Sequence, residues 1–255
     1  METAKPHFST LLKVEDLVQR IGGQEILRGF SIEVHAGETL VLLGKSGGGK
    51  SVFLRHLIGL MHPISGRIFF EGEDITRLSE RAMEPVRRKI GMVFQDGALF
   101  DSMSVFGNVA FPLQERGERD SAVIQKKVCD ALALVNMSGH DHKMPVNLSG
   151  GMRKRVALAR AIVSPPDVIL YDEPTAGLDP VVSDSINKLI RRLQRQLAVT
   201  SIVVTHDMAS CFHIADRVAL LHEGKVYFYG TPDELRTTTD PIIRSFVDGR
   251  SDEIE

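Results

Sequence analysis

Four short runs of this chain are apolar at successive positions instead of alternating, and each ends in a polar residue. Thr39-Leu40-Val41-Leu42-Leu43 runs into Gly44, and Ile90-Gly91-Met92-Val93-Phe94 into Gln95. Val168-Ile169-Leu170-Tyr171 runs into Asp172-Glu173, and Ile202-Val203-Val204-Thr205 into His206. Continuous apolar runs of this length predict strands covered on both faces, as in parallel sheets packed between helices. In open α/β sheets the ligand lies outside the carboxyl ends of the strands. Four polar endings drawn from distant parts of the chain therefore predict one composite site in an α/β fold.

The first strand leads into Gly44-Lys45-Ser46-Gly47-Gly48-Gly49-Lys50-Ser51 and then a helical run, Val52 to Ile58. This is the P-loop pattern in the strand-to-helix setting that it needs. Its glycines let backbone N–H groups converge on phosphate oxygens, and the helix start adds the positive end of its dipole. Lys50 supplies a point charge toward the β- and γ-phosphates, and Ser51 a hydroxyl ligand for magnesium. The expected ligands are ATP and Mg2+.

Asp172 and Glu173 are adjacent at a strand end and point differently, so two roles are natural. Asp172 is expected to hold magnesium, directly or through water, and Glu173 to orient and deprotonate the attacking water. Gln95 is expected to reach the γ-phosphate region through magnesium or water, and His206 by hydrogen bond. A second anion site is predicted at Leu148-Ser149-Gly150-Gly151-Met152, from the Ser149 hydroxyl and the N–H groups of Gly150 and Gly151 at the start of a helix over Arg153 to Val163. The cations Arg153, Lys154 and Arg155 oppose the dipole of that helix and call for a compensating anion. A two-fold dimer, in which each copy offers this helix start to its partner's ATP, answers both needs. Without the other motifs, Ser149 would read simply as an N-cap. Asp179, in Thr175-Ala176-Gly177-Leu178-Asp179-Pro180, either crosses the same interface or is a turn residue before proline.

Composition narrows the partners. The 255 residues are 43% hydrophobic, enough for a sizeable core, and 31 basic residues nearly balance 33 acidic ones. No field of one sign argues for nucleic acid. Cys129 and Cys211 lack metal-ligand spacing and read as unpaired thiols of a reducing compartment. Met1 to Lys5 lacks the apolar stretch of a signal peptide, and no window approaches the roughly 18 apolar residues of a membrane span, so a cytoplasmic chain is expected. His140-Asp141-His142 either binds a metal or, with only two ligands in view, is a solvated loop. Thr237 to Glu255 reads as a short helix and a solvated acidic tail with Asp252, Glu253 and Glu255.

In order, the P-loop at Gly44, Gln95, Leu148-Ser149-Gly150-Gly151, Asp172-Glu173, Leu178-Asp179 and His206 resemble the motif set of ABC-transporter ATPases, over nearly the whole chain. The resemblance implies an α/β P-loop NTPase (RecA-like) core with an antiparallel β subdomain, from Leu11 to Val34 with Arg67 to Glu71, and an inserted α-helical subdomain. The implied boundaries are 1–98 and 164–240 for the core, 99–163 for the helical insert and 241–255 for the tail. It also implies ATP sandwiched between two copies and an integral-membrane permease as partner, which puts the chain peripherally on the inner membrane. Two positions depart from the pattern: Met152 stands where most members have Gln, and Ile21 where an adenine-stacking aromatic is usual, which puts strong base selectivity in doubt.

Met152, together with Phe94 to Val109, is similar to the Mla-type subgroup, which moves phospholipid between the membranes of bacteria. That likeness implies an MCE-domain lipid-binding protein and a STAS-domain protein as further partners. The alternatives are an importer subunit for a small polar solute and a soluble ATPase acting on nucleic acid or ribosomes. Leu99, Phe100, Met103, Val105 and Phe106 either line a groove for a partner helix or pack the helical subdomain.

Overall fold

The computed structural model describes residues 9–249. The readings made on Met1 to Lys5 and on Asp252, Glu253 and Glu255 lie outside the described residues. Along the chain the elements are β1 (Thr10–Ile21), β2 (Gln24–His35), β3 (Thr39–Gly44), α1 (Lys50–Leu57), β4 (Ser65–Phe70), β5 (Glu73–Asp74), α2 (Glu80–Lys89) and β6 (Ile90–Val93). Then come α3 (Val105–Glu115), α4 (Ser121–Leu134), a 3-10 turn (Pro145–Asn147), α5 (Gly150–Ile162), β7 (Val168–Asp172), α6 (Pro180–Leu197) and β8 (Thr200–Thr205). The last are α7 (Met208–Ile214), β9 (Arg217–His222), β10 (Lys225–Gly230), α8 (Pro232–Thr237) and α9 (Pro241–Asp248). Among the described residues no helix is long and apolar enough to cross a membrane. Two compact units divide them: 9–86 with 215–249, and 87–214.

In the first unit, β2-β1-β4-β5 form an antiparallel sheet. Alternation along β1 and β2 buries Leu12, Val14, Leu17, Leu27, Phe30, Ile32 and Val34, as expected of strands with one covered face. The alternation slips by one residue at Asp16, whose positive φ marks a bulge between the pairs Val14 with Ile32 and Leu17 with Phe30. Strand β3 is buried at every position and runs parallel to β9, which pairs in turn with antiparallel β10. Phe30 of β2 meets Phe53 of α1 with ring centroids 4.8 Å apart, and both are fully buried. Such a contact contributes on the order of 1 kcal/mol beyond area burial, and here it seats the helix that follows β3.

In the second unit, β6, β7 and β8 are parallel, with β7 between the other two. Register puts Val93 beside Tyr171, Tyr171 beside Val203 and Asp172 beside Val204, so the three strands end level with one another. Helices α3, α4 and α5 pack on one another, and α5 also packs on β6 and α6. Asn108 is fully buried in α3, where its amide group donates to the carbonyls of Phe100, Met103 and Ser104 and its carbonyl accepts from the Phe100 N–H. Those bonds staple the segment between β6 and α3. Of the apolar residues there, Val105 is core, while Phe94 and Phe100 are exposed, Phe100 resting against Phe111.

Candidate functional site

The loop after β3 turns at Gly47 (φ 76°) and Gly49 (φ 107°), conformations that L side chains rarely adopt. Gly49 serves as the N-cap of α1, and no side chain caps that helix. A Cβ on Gly49 would sit 3.0 Å from both Ile26 and Leu27, so the position also needs glycine for space. No acidic residue occupies the first turn of α1, leaving the dipole end to an outside anion. Lys50 is 6% exposed, and its Nζ donates to the carbonyls of Gly44 (2.7 Å) and Lys45 (3.1 Å). The lysine thus spans the base of the loop from inside, held where a phosphate seated on the N–H groups would meet its charge. Ser51 follows in the same first turn. Ile21, at the end of β1, is 43% exposed and presents an aliphatic surface.

In the second unit the level strand ends gather the other predicted residues. Glu173, just past β7, takes a left-handed conformation (φ 47°), while its N–H donates to the Val204 carbonyl at 2.9 Å. Its Oε1 lies 3.0 Å from His206 Nδ1, and its Oε2 accepts from the Thr205 hydroxyl at 3.0 Å. The two partners differ: Thr205 is fully buried and its Oγ1 also accepts from the Asp207 N–H, whereas the His206 side chain is 57% exposed. Asp172 ends β7 half-buried, and Gln95 is exposed two residues beyond the end of β6. A cavity of about 620 Å³ opens beside Glu173 and His206, lined also by Ala176, Leu178, Pro180 and Asp207. It leaves room for water next to the carboxylate.

Ser149 is exposed at the start of α5, and its hydroxyl accepts from the Met152 N–H at 3.3 Å, an N-cap. Gly151 is buried, and a Cβ there would come within 2.6 Å of Val182; one on Gly150 would meet Leu178 at 3.1 Å. The glycines thus let α5 pack against the turn that carries Asp179. Asp179 itself is the N-cap of α6, accepting from the N–H groups of Val181 and Val182, both at 3.0 Å.

The cations at the start of α5 have neutral hydrogen-bond acceptors inside the fold, which the sequence did not foretell. Arg153 Nε donates to the Leu148 carbonyl, Arg155 to the Val135 carbonyl and the Ser185 hydroxyl, and Lys154 to the carbonyls of Gln95 and Glu173. Lys154 is 5% exposed, and burial lowers its pKa, while Asp96, Glu173 and Asp172 act to raise it. Lys154 and Thr205 are the site residues that sequence reasoning missed. Spacing held a signal for the first: Lys154 shares a buried stripe of α5 with Gly151, Leu158 and Ile162, where a charge is rare without a partner. Among the described residues neither cysteine forms a disulfide, Cys129 being exposed and Cys211 buried, and no group of three or more His, Cys, Asp or Glu could hold a metal ion.

A family model described as ABC transporter matches residues 27–176. The chain belongs to this family. It is an ABC ATPase, a nucleotide-binding subunit whose ATP hydrolysis is coupled to transport. It is 40% identical over 242 residues to the intermembrane phospholipid transport system ATP-binding protein MlaF of Haemophilus influenzae, covering 95% of this chain and 92% of that protein. It is also 40% identical over 239 residues to the probable ribonucleotide transport ATP-binding protein mkl of Mycobacterium tuberculosis, covering 94% of this chain and 67% of that one. Among solved structures, cbiO1 from Clostridium perfringens, described as part of the ABC transporter complex cbiONQ, superposes with a TM-score of 0.83 at 35% identity, over 92% of this chain and 94% of that chain. The ATP-binding cassette MJ0796, a dimer in a post-hydrolysis state bound to ADP and Pi, superposes with a TM-score of 0.79 at 28% identity, over 87% of this chain and 99% of that one. These ABC ATPases share the α/β P-loop NTPase fold of this chain.

Proposed function

We propose that this ABC ATPase energises the movement of phospholipid between bacterial membranes, working as a two-fold dimer beneath an integral-membrane permease at the inner membrane. The observation that carries the substrate is the likeness to MlaF, which extends over 92% of that protein's length. The mkl likeness, at equal identity, accounts for 67% of its relative and so leaves a third of that protein without a counterpart here. An MCE-domain lipid-binding protein and a STAS-domain protein complete the proposed set of partners.

In the proposed cycle, Gly44 to Ser51 of one copy cradle the triphosphate, with Lys50 as the fixed charge. Ser149, Gly150 and Gly151 of the other copy present the start of α5 to the same phosphates, with Asp179 beside them. Support comes from the exposed Ser149 and Gly150 and from the dimeric state of the MJ0796 relative with its bound ADP and Pi. Ser51, Gln95 and Asp172 would hold magnesium: hydroxyl, amide and carboxylate oxygens are the hard donors it takes, and when bound it neutralises phosphate charge. Glu173 is the base. Its Oε2 is anchored by buried Thr205, and its Oε1 is shared with exposed His206, so Oε1 is the oxygen that turns to water and takes the proton. His206, once released, donates to the γ-phosphate.

Two experiments test this reading. Purified Glu173→Gln should bind ATP, accumulate as a dimer and release no phosphate; undiminished release would refute the base assignment. Pulldown from detergent-solubilised membranes should recover a permease with co-purifying phospholipid. Ribosomes or DNA recovered without a permease would remove transport altogether, and a permease complex that moves a polar solute but no lipid would remove the substrate.

A further inference from the structure

Lys154 spends a buried charge on two main-chain carbonyls, a task that a neutral donor could perform with less desolvation. Those carbonyls belong to Gln95 and Glu173, residues that follow different strands. Further along α5, Arg160 donates to the carbonyls of Gly97 and Ala98, both at 2.7 Å, and Ala157 lies 3.5 Å from where a Gly97 Cβ would stand. One face of α5 thus lies along the loop from Gln95 to Ala98. Glu173 has a positive φ, a conformation that a non-glycine residue keeps only when its surroundings hold it. Its carbonyl is held by Lys154 and by the Ala176 N–H, and its own N–H by Val204.

We propose that Lys154 is a positioning residue: by bridging the carbonyls of Gln95 and Glu173, it keeps the backbone of Glu173 in its left-handed conformation and ties the aim of that carboxylate to the Gln95 loop. Asp96, Asp172 and Glu173 attract the ammonium, which gives the charge a purpose that an amide donor would not serve. The inference rests on the reading of Glu173 as base, and it assigns Lys154 no contact with nucleotide.

Steady-state hydrolysis by the purified full-length chain tests it. Lys154→Met should lower kcat about tenfold while KM for ATP stays within about twofold, because an aim lost in the transition state leaves ground-state binding alone. Lys154→Arg, which keeps charge and donors, should restore kcat to within about threefold of the parent. An unchanged kcat in Lys154→Met, a KM that rises in step with the loss, or failure of Lys154→Arg to rescue would each overturn the proposal. Should Lys154→Met fail to fold, Lys154→Gln takes its place, with about a threefold loss of kcat expected and parity with the parent overturning it. Glu173→Gln measured alongside separates the two readings. Full turnover there removes the base, whereas a dead Glu173→Gln beside a fully active Lys154→Met removes only the positioning role.

Discussion

Two helices of this protein have glycine at their start, and they handle their first N–H groups in opposite ways. Helix α1 starts at Gly49, with no side-chain cap and no acid in its first turn, over a buried lysine that is bonded to the loop's own carbonyls. Helix α5 starts at Ser149, which caps it, and its three basic residues are all taken up by carbonyl or hydroxyl oxygens inside the fold. A bare helix start beside a fixed cation is a strong phosphate site on its own. A capped start whose cations are already engaged is a weaker one and needs an anion delivered to it. The difference fits the proposed division of labour, in which one copy would bind the nucleotide and the other close over it.

The largest effect should come from the cation of the first start. Lys50→Ala should weaken ATP binding about a hundredfold, roughly 3 kcal/mol, in line with a buried charge-assisted contact to phosphate. Equilibrium titration with nucleotide reads this directly, and affinity within threefold of the parent would break the contrast. Next come the glycines. Gly49→Ala places a side chain at φ 107° and 3.0 Å from Ile26 and Leu27, so a loss of about 2 kcal/mol of stability is expected. Gly150→Ala should cost less than about 1 kcal/mol, since only the tip of Leu178 must give and alanine favours the helix. Denaturant unfolding of both variants compares them, and equal costs would show that the two helix starts are under the same backbone constraint.

Removing the cap is a smaller change than Gly49→Ala. Ser149→Ala should cost about 1 kcal/mol of stability and leave nucleotide affinity of the isolated chain unchanged. A matching loss of affinity would mean that α5 already contacts phosphate within one copy. The smallest effect concerns the support of α1. His56, 2% exposed, places Nδ1 2.7 Å from the Val52 carbonyl and Nε2 3.2 Å from Gln19, and burial lowers its pKa from the ordinary 6.5. The unfolded chain therefore binds this proton more readily than the fold does. Stability should be intact above pH 6.5 and decline as pH falls through that value. Unfolding midpoints across that window, in the parent and in His56→Gln, should show the slope only in the parent.

Much of this was legible in the chain. The four apolar runs are strands, Gly44 to Ser51 join a strand to a helix, and Glu173 and His206 meet at 3.0 Å. Each of these features rests on neighbours in sequence or on the rule that strand ends share an edge. What could not be read there had a common cause. Arg153, Lys154 and Arg155 read as charges that call for a compensating anion, and nothing local tells that they also have acceptors in the segments around Gln95, Val135, Leu148, Glu173 and Ser185, most of them remote in sequence. Thr205 read only as the last apolar-run residue before His206, and nothing local tells that its hydroxyl faces a carboxylate 32 residues upstream.

The amino-acid order alone determined the glycine loop from Gly44 to Ser51 that is proposed to cradle phosphate, because its parts are consecutive and its N–H groups are freed by glycine. It also determined which residues end the buried strands. Tertiary structure decided how those ends act on one another: the register of β6, β7 and β8 and the rotation of α5 fix which oxygen of Glu173 is anchored and which carbonyls Lys154 bridges. Such choices depend on contacts between distant segments, whose geometry is set only when the core packs.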